Sequence, residues 1–128
     1  MKNVAAALII NGGHILLTRR APGENLAGYW EFPGGKQELG ETIQQCAQRE
    51  LEEELSLPSI AGEVFMESIY RYEGGAINLV GVLVEAQRGP LTLTVHDRAE
   101  WIPISQLMQY ELAPADIPIA EKLAKIYG

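Results

Sequence analysis

Hydrophobic and polar positions alternate along this chain with two different periods. Val4 to Ile10 and His14 to Thr18 are short runs rich in β-forming residues, separated by Asn11-Gly12-Gly13, which has the composition of a tight hairpin turn. The chain is therefore predicted to open with two strands. Arg19 to Gly28 is polar and carries Pro22 and two glycines, after which Tyr29 to Phe32 reads as a short extended piece ending at Pro33. Gly34 to Glu41 reads as a loop. Glu63 to Tyr72 and Ala76 to Ala86 are predicted strands around the turn Glu73-Gly74-Gly75, and Leu91 to Val95 and Glu100 to Ile102 are predicted as two more.

The other period is helical. Thr42 followed three residues later by Gln45 is a capping-box signature, which predicts a helix from about Ile43 to Leu55 with Pro58 marking its end. Ile104 to Met108 suggests one or two helical turns. A last amphipathic helix is predicted over Ile117 to Ile126, with Ile119, Ala120, Leu123, Ala124 and Ile126 on its apolar side. The inventory is an α+β layered domain, a mixed sheet with two helices packed on it.

On a helical wheel of the first helix, with Ile43 at zero, Cys46, Ala47 and Leu51 fall on one broad side. Glu50 and Glu54 land about 20° to either side of Ile43, inside the apolar stripe, and Glu53 lies on its edge. Only Glu52 points clearly outward. A run such as Arg49-Glu50-Leu51-Glu52-Glu53-Glu54 is ordinarily a solvated helix face, but this phase argues otherwise. Desolvating an unpaired carboxylate costs several kcal/mol, so acids on a buried stripe are expected to be paired or to hold a metal. Oxygen ligands suit Mg²⁺, Mn²⁺ or Ca²⁺ rather than zinc. His14 and His96 are isolated from any partner at ligand spacing and read as structural or surface residues.

At 128 residues the chain has the size of one compact domain, and residues 1–128 are read as one. No stretch approaches the roughly 18 consecutive apolar residues of a membrane span, and the short apolar run near the N-terminus leads into a polar turn without a cleavage signature. A single cysteine, Cys46, cannot form an internal disulfide, which fits a cytoplasmic location. The net charge of -7 argues against a basic surface for nucleic acid polymers. An acidic protein binds a small polyphosphate more readily when cations bridge carboxylates to phosphate oxygens, so the charge points toward cation dependence.

The segment GGKQELGETIQQCAQRELEEELSL resembles the Nudix box: Gly35, five residues, Glu41, seven residues, then Arg49, Glu50, Leu51, any residue, Glu53, Glu54. The one departure is Ser56, where the motif has glycine. That residue follows the helix end, where a left-handed conformation is common, so serine there costs about 1 kcal/mol and removes no ligand. The resemblance continues through LLTRRAPGENLAGYWEFPGGK, the Glu100-Trp101 pair and LAPADIPIAEKL. It points to the MutT-like branch of the Nudix hydrolases, and LAPADIPI is most similar to that of the bacterial CTP pyrophosphohydrolases.

This resemblance implies a Nudix fold, an α/β/α sandwich with a mixed sheet. It implies hydrolysis of a nucleoside triphosphate to the monophosphate and pyrophosphate by attack of water on the β-phosphorus, without a covalent enzyme intermediate. By resemblance, the carbonyl of Gly34 with Glu50, Glu53 and Glu54 hold Mg²⁺, for which Mn²⁺ can substitute, and Glu100 from a later loop completes the site or activates water. Arg49 would orient a carboxylate, and Glu41 either orders the loop against the helix or simply favours the helix N-terminus. Lys36 and Arg20 read either as phosphate ligands or as solvated charges, and Phe32 either flanks the base or ends a strand in the core. Asp116 occupies an N-cap position and also stands where a carboxylate could read a base, so cytosine and oxidised guanine both stay open. Removal of 8-oxo-dGTP and non-catalytic nucleotide sensing are the competing functions.

Overall fold

A computed structural model describes all of residues 1–128. Seven strands, β1 (Lys2–Asn11), β2 (His14–Arg20), β3 (Trp30–Glu31), β4 (Gly34–Lys36), β5 (Ile60–Tyr72), β6 (Gly75–Glu85) and β7 (His96–Pro103), form a mixed sheet in the order β3-β2-β1-β6-β5. β4 pairs with the first half of β1, and β7 pairs with β2. Helix α1 (Ile43–Leu55) and helix α2 (Ile117–Tyr127) complete the layers.

β1 runs parallel to β6 and is covered on both faces, which is why its sequence is continuously apolar rather than alternating. Ala6 and Leu8 join one core cluster with Ile15, Leu17, Leu79 and the α2 residues Ile119, Ala120 and Leu123. Ala5, Ala7 and Ile9 join the other with Leu16, Val80, Val82 and the α1 residues Cys46, Ala47, Leu51 and Leu55. Neighbours in sequence therefore serve opposite layers, as the two-residue strand period requires. α2 lies close enough to β6 that a Cβ on Gly81 would be 3.1 Å from Leu8 and 3.4 Å from Ile119.

Two expectations about elements are corrected. Gly34 to Lys36 is a strand rather than loop, in register with β1 at Val4↔Lys36, Ala5↔Gly35 and Ala6↔Gly34. Glycine is the residue that fits there, because a Cβ on Gly34 would collide with the Ala5 carbonyl. Leu91 to Val95 forms no strand. The amides of Thr92 and Thr94 instead donate to the carbonyls of Leu55 and Glu54, so the segment's donors satisfy the exposed C-terminal carbonyls of α1. Both predicted helices form, although Ile126, expected on the apolar side of α2, is exposed; Thr42 and Gln45 close a full capping box, and Ser56 ends α1 in the left-handed conformation at φ 51°. Ile104 to Gln109 is a 3-10 helix.

Candidate active site

α1 directs Leu51 and Leu55 into the sheet and leaves Glu50 and Glu54 half-buried beside them, while Glu52 and Glu53 are exposed. The wheel thus places Glu50 and Glu54 correctly. Glu53 turns outward, 58% exposed, and accepts from Arg49 Nη1 at 3.1 Å. The glutamates are held in different ways. Glu50 accepts from Arg49 Nη1 at 2.9 Å, and Glu54 accepts from the backbone N–H of Gly34 at 3.3 Å. Gly35, next along β4, has no side chain for a reason: a Cβ there would lie 2.6 Å from both carboxylate oxygens of Glu50.

Arg49 is the organising cation. Its Nε and Nη2 donate to the two oxygens of Glu41 at 3.0 and 2.8 Å, and Nη2 also donates to the Lys36 carbonyl at 3.0 Å. Glu41 in turn accepts from the Glu38 N–H at 2.8 Å, so it ties the loop to the helix instead of capping it. The Arg49 contacts and the Glu38 amide hold the Glu41 carboxyl down at about 2. Those carboxylates raise the already high pKa of Arg49 further.

Glu54 has no cationic side chain bonded to it. Burial, reinforced by the charges of Glu50 and Glu31, pushes its pKa up to about 8 against the opposing pull of the Gly34 amide and Arg20. Burial also raises Glu50, with Arg49 opposing. A desolvated pair of like charges, one of them unpaired, facing a strand of two glycines, is the environment that a hard divalent cation stabilises. These residues fit such an ion. No three acidic or imidazole groups already converge on one point, and Glu50 and Glu53 both turn an oxygen to Arg49 Nη1.

Glu100 is corrected. It stands on β7 rather than on a loop, opposite Leu17, whose side chain belongs to the α2 layer, and its carboxylate pairs with Arg98. Strand alternation therefore takes it away from the α1 glutamates. The acid outside the helix that does bear on Glu54 is Glu31, which sequence reasoning missed. Glu31 accepts from Arg20 Nη1 at 3.3 Å and lies 2.9 Å from Nε2 of the buried His96. Two-residue strands have no readable period, so the signal lay only in the alternation Trp30-Glu31 just before the glycine pair.

Arg20 is engaged by Glu31, Glu24 and the Asn25 carbonyl, close enough to Glu54 to lower its pKa. Lys36 is exposed and points away from the helix glutamates, on the face of Val4. The Phe32 ring is 3% exposed within the α2-side core, so it packs instead of offering a stacking face. Its backbone N–H donates to Asp116 Oδ2 at 2.8 Å. That bond also corrects the cap reading of Asp116, whose side chain makes no capping hydrogen bond to α2. Asp116 is 6% exposed, and its burial, with the Glu31 charge adding, raises its pKa to about 8 despite the Phe32 amide.

Residues 1–123 match the NUDIX domain. The chain is a Nudix hydrolase. Requirement for a divalent metal is general in this family, in keeping with the carboxylates above. This Nudix hydrolase is 39% identical over 121 residues to the CTP pyrophosphohydrolase of Escherichia coli K12, covering 94% of this chain and 90% of that one. It is 33% identical over 124 residues to the 8-oxo-dGTP diphosphatase of the same organism, covering 96% of both. The solution structure of the E. coli ORF135 protein superimposes with a TM-score of 0.83 at 39% identity, over 94% of this chain and 86% of that one. No helix of this Nudix hydrolase is long and apolar enough to cross a membrane.

Proposed function

We propose that this Nudix hydrolase, one domain over residues 1–128, is a Mg²⁺-dependent pyrophosphohydrolase of CTP, dCTP or modified pyrimidine nucleotides. Mn²⁺ serves as a substitute, and the cytoplasm is the proposed location. The observation that carries this reading is the pairing of half-buried Glu50 and Glu54 against Gly34 and Gly35, with a third carboxylate, the buried Asp116, held on the neighbouring Phe32 amide.

Glu50, Glu53, Glu54 and the Gly34 carbonyl would hold the metal, which supplies neutralisation of the polyphosphate and makes water easier to deprotonate. The chain's own part is positioning. Arg49 fixes the direction of Glu50 and Glu53, Glu41 fixes Arg49, and the Gly34 amide fixes Glu54. Water attacks the β-phosphorus, the bond to the oxygen bridging to the α-phosphorus breaks, and that oxygen leaves with the nucleoside monophosphate. Arg20, beside Glu54, faces the phosphates as a cation already half-neutralised by Glu31.

Asp116 is the base reader. With Oδ2 engaged by the Phe32 amide, its other oxygen accepts from the exocyclic amine of cytosine when the carboxyl is ionised, a form that the amine itself favours. The similarity to an 8-oxo-dGTP diphosphatase over 96% of both chains keeps oxidised guanine as the second substrate class. A non-catalytic sensor has no use for the whole set of helix glutamates. The test is initial rates with Mg²⁺ over a panel of ordinary and oxidised nucleoside triphosphates, run in ¹⁸O-water. CTP or dCTP should rank first in kcat/KM, with label in pyrophosphate. Label in the monophosphate moves the attack to the α-phosphorus, and no turnover of any member leaves the sensor.

A further inference from the structure

Of the ten lysine and arginine side chains, Arg19, Arg20, Arg49 and Arg98 are bonded to carboxylates. Arg88 and Lys122 rest on a backbone carbonyl and over an aromatic ring. Four have neither kind of partner: Lys2, Lys36, Arg71 and Lys125. Three of those four, Lys2, Lys36 and Arg71, line a single cavity of about 510 Å³, and no acidic side chain lines it with them. In a chain with 17 acidic residues and a net charge of -7, that segregation is a local reversal of sign. Like charges around one cavity repel, and an anion seated there removes the repulsion.

The fold builds the cavity from three segments distant in sequence. The start of β1 brings Lys2 beside Ile77, the end of β4 brings Lys36 beside Val4, and the β5–β6 hairpin brings Arg71, Tyr72 and the turn Gly74-Gly75. Gly75 keeps the turn open beneath the Tyr72 hydroxyl, which a Cβ would approach to 3.2 Å. A hydroxyl donor is thereby added to three cations. Strand β4 separates the cavity from the acidic helix: Gly35 faces Glu50, whereas Lys36, the next residue, turns to the opposite face beside Val4.

The ligand that three clustered cations and a hydroxyl select is a multiply charged anion, an inorganic di- or polyphosphate. We propose that Lys2, Lys36 and Arg71 form a binding site for a free di- or polyphosphate anion, separate from the helix glutamates. The site stands apart from the hydrolytic one, and neither Lys2 nor Arg71 carries a motif signal.

The test uses the full chain and inorganic pyrophosphate without metal, followed by titration calorimetry and by backbone amide shifts. Wild type should bind, with the Gly74 and Gly75 amides shifting. The double variant Lys2→Ala/Arg71→Ala should bind about five- to tenfold more weakly, as expected for two exposed charge-assisted contacts. Arg71→Lys should recover part of the loss. Lys125→Ala, which removes the fourth unpartnered cation from elsewhere, should bind as wild type. Equal affinity in the double variant and wild type, an equal loss in Lys125→Ala, or no wild-type binding at millimolar pyrophosphate would each overturn the seat. Triphosphate turnover by wild type is measured separately. Pyrophosphate binding without turnover would reject the reaction and keep the seat, whereas turnover with unchanged pyrophosphate affinity in the double variant would reject only the seat.

Discussion

Gly35 and Glu50 share one space: the volume that a methyl group on Gly35 would fill, 2.6 Å from both Glu50 oxygens, is occupied by the carboxylate. The clash involves the end of a flexible side chain, so Gly35→Ala should fold with Tm close to wild type while Glu50 is displaced. Misplacing a group of a preorganised site by about 1 Å costs on the order of 100-fold in rate. We expect kcat to fall by about that factor and the Mg²⁺ concentration for half-maximal rate to rise. Wild-type kcat in Gly35→Ala would show that Glu50 need not stay where the glycine admits it.

Glu53 and Glu54 should separate stability from activity. Glu54 has a folded pKa of about 8 against an ordinary 4.5. The folded state therefore holds a proton that the unfolded state gives up, and stability falls as pH rises from about 4.5 through about 8. Glu54→Gln removes that penalty, so the metal-free variant should melt higher than wild type at pH 8 by the equivalent of about 1 to 2 kcal/mol, and no higher near pH 4.5. Glu53 is 58% exposed, and Glu53→Gln should leave Tm unchanged. Both substitutions should lower turnover at least about 100-fold through loss of a ligand charge. Calorimetry without metal at the two pH values and steady-state rates with Mg²⁺ check this, and undiminished turnover in Glu53→Gln would remove Glu53 from the site.

What could be read from sequence follows from which signals are local. The capping box, the apolar stripe of α1 and the left-handed Ser56 depend on residues within one or two turns, and all stand as read. Glu100 and Glu31 depended on register between strands. A one-residue step decides which layer a strand side chain joins, and nothing local to Glu100-Trp101 or Trp30-Glu31 states that step. Asp116 failed as a cap because its acceptor was taken by a residue 84 positions away. Leu91 to Val95 failed as a strand because helix carbonyls, rather than a neighbouring strand, took its amides.

Ser56 offers a gain at no functional cost. Its φ of 51° places a Cβ-bearing residue in the left-handed region, where glycine is favoured, and its side chain takes no part in the site. Ser56→Gly should stabilise the protein by about 0.5 to 1 kcal/mol, raising Tm by about 2 to 4 °C, with kcat/KM unaltered. Thermal melts and one rate measurement decide it. A lower Tm would mean that glycine's added freedom in the unfolded chain outweighs the relief of strain.

Asp116 and Phe32 carry the last prediction, because their bond leaves one face of the carboxyl for a base. In Asp116→Asn, the amide oxygen can still accept from the Phe32 N–H, and the group left facing the base is then an NH₂, a donor only. Opposite the exocyclic amine of cytosine this sets donor against donor. The specificity constant for CTP or dCTP should fall by about 1 to 3 kcal/mol, roughly 5- to 150-fold, while substrates presenting a carbonyl there, oxidised guanine among them, lose less or gain. Stability moves separately. Wild-type Asp116 has its pKa raised to about 8 from 3.8, so its contribution to stability declines as pH rises across that interval, and the asparagine variant should lack this part of the slope. Asp116→Ala should instead leave the buried Phe32 amide unpaired and cost about 1 to 3 kcal/mol at acidic pH, a loss that shrinks as pH rises and the wild-type carboxyl ionises. Ranked kcat/KM values over the nucleotide panel, set beside Tm from pH 5 to pH 9, distinguish the roles. If Asp116→Asn keeps the wild-type ranking while Asp116→Ala loses stability, Asp116 serves only to hold Phe32, and base selection must lie with other residues of the pocket.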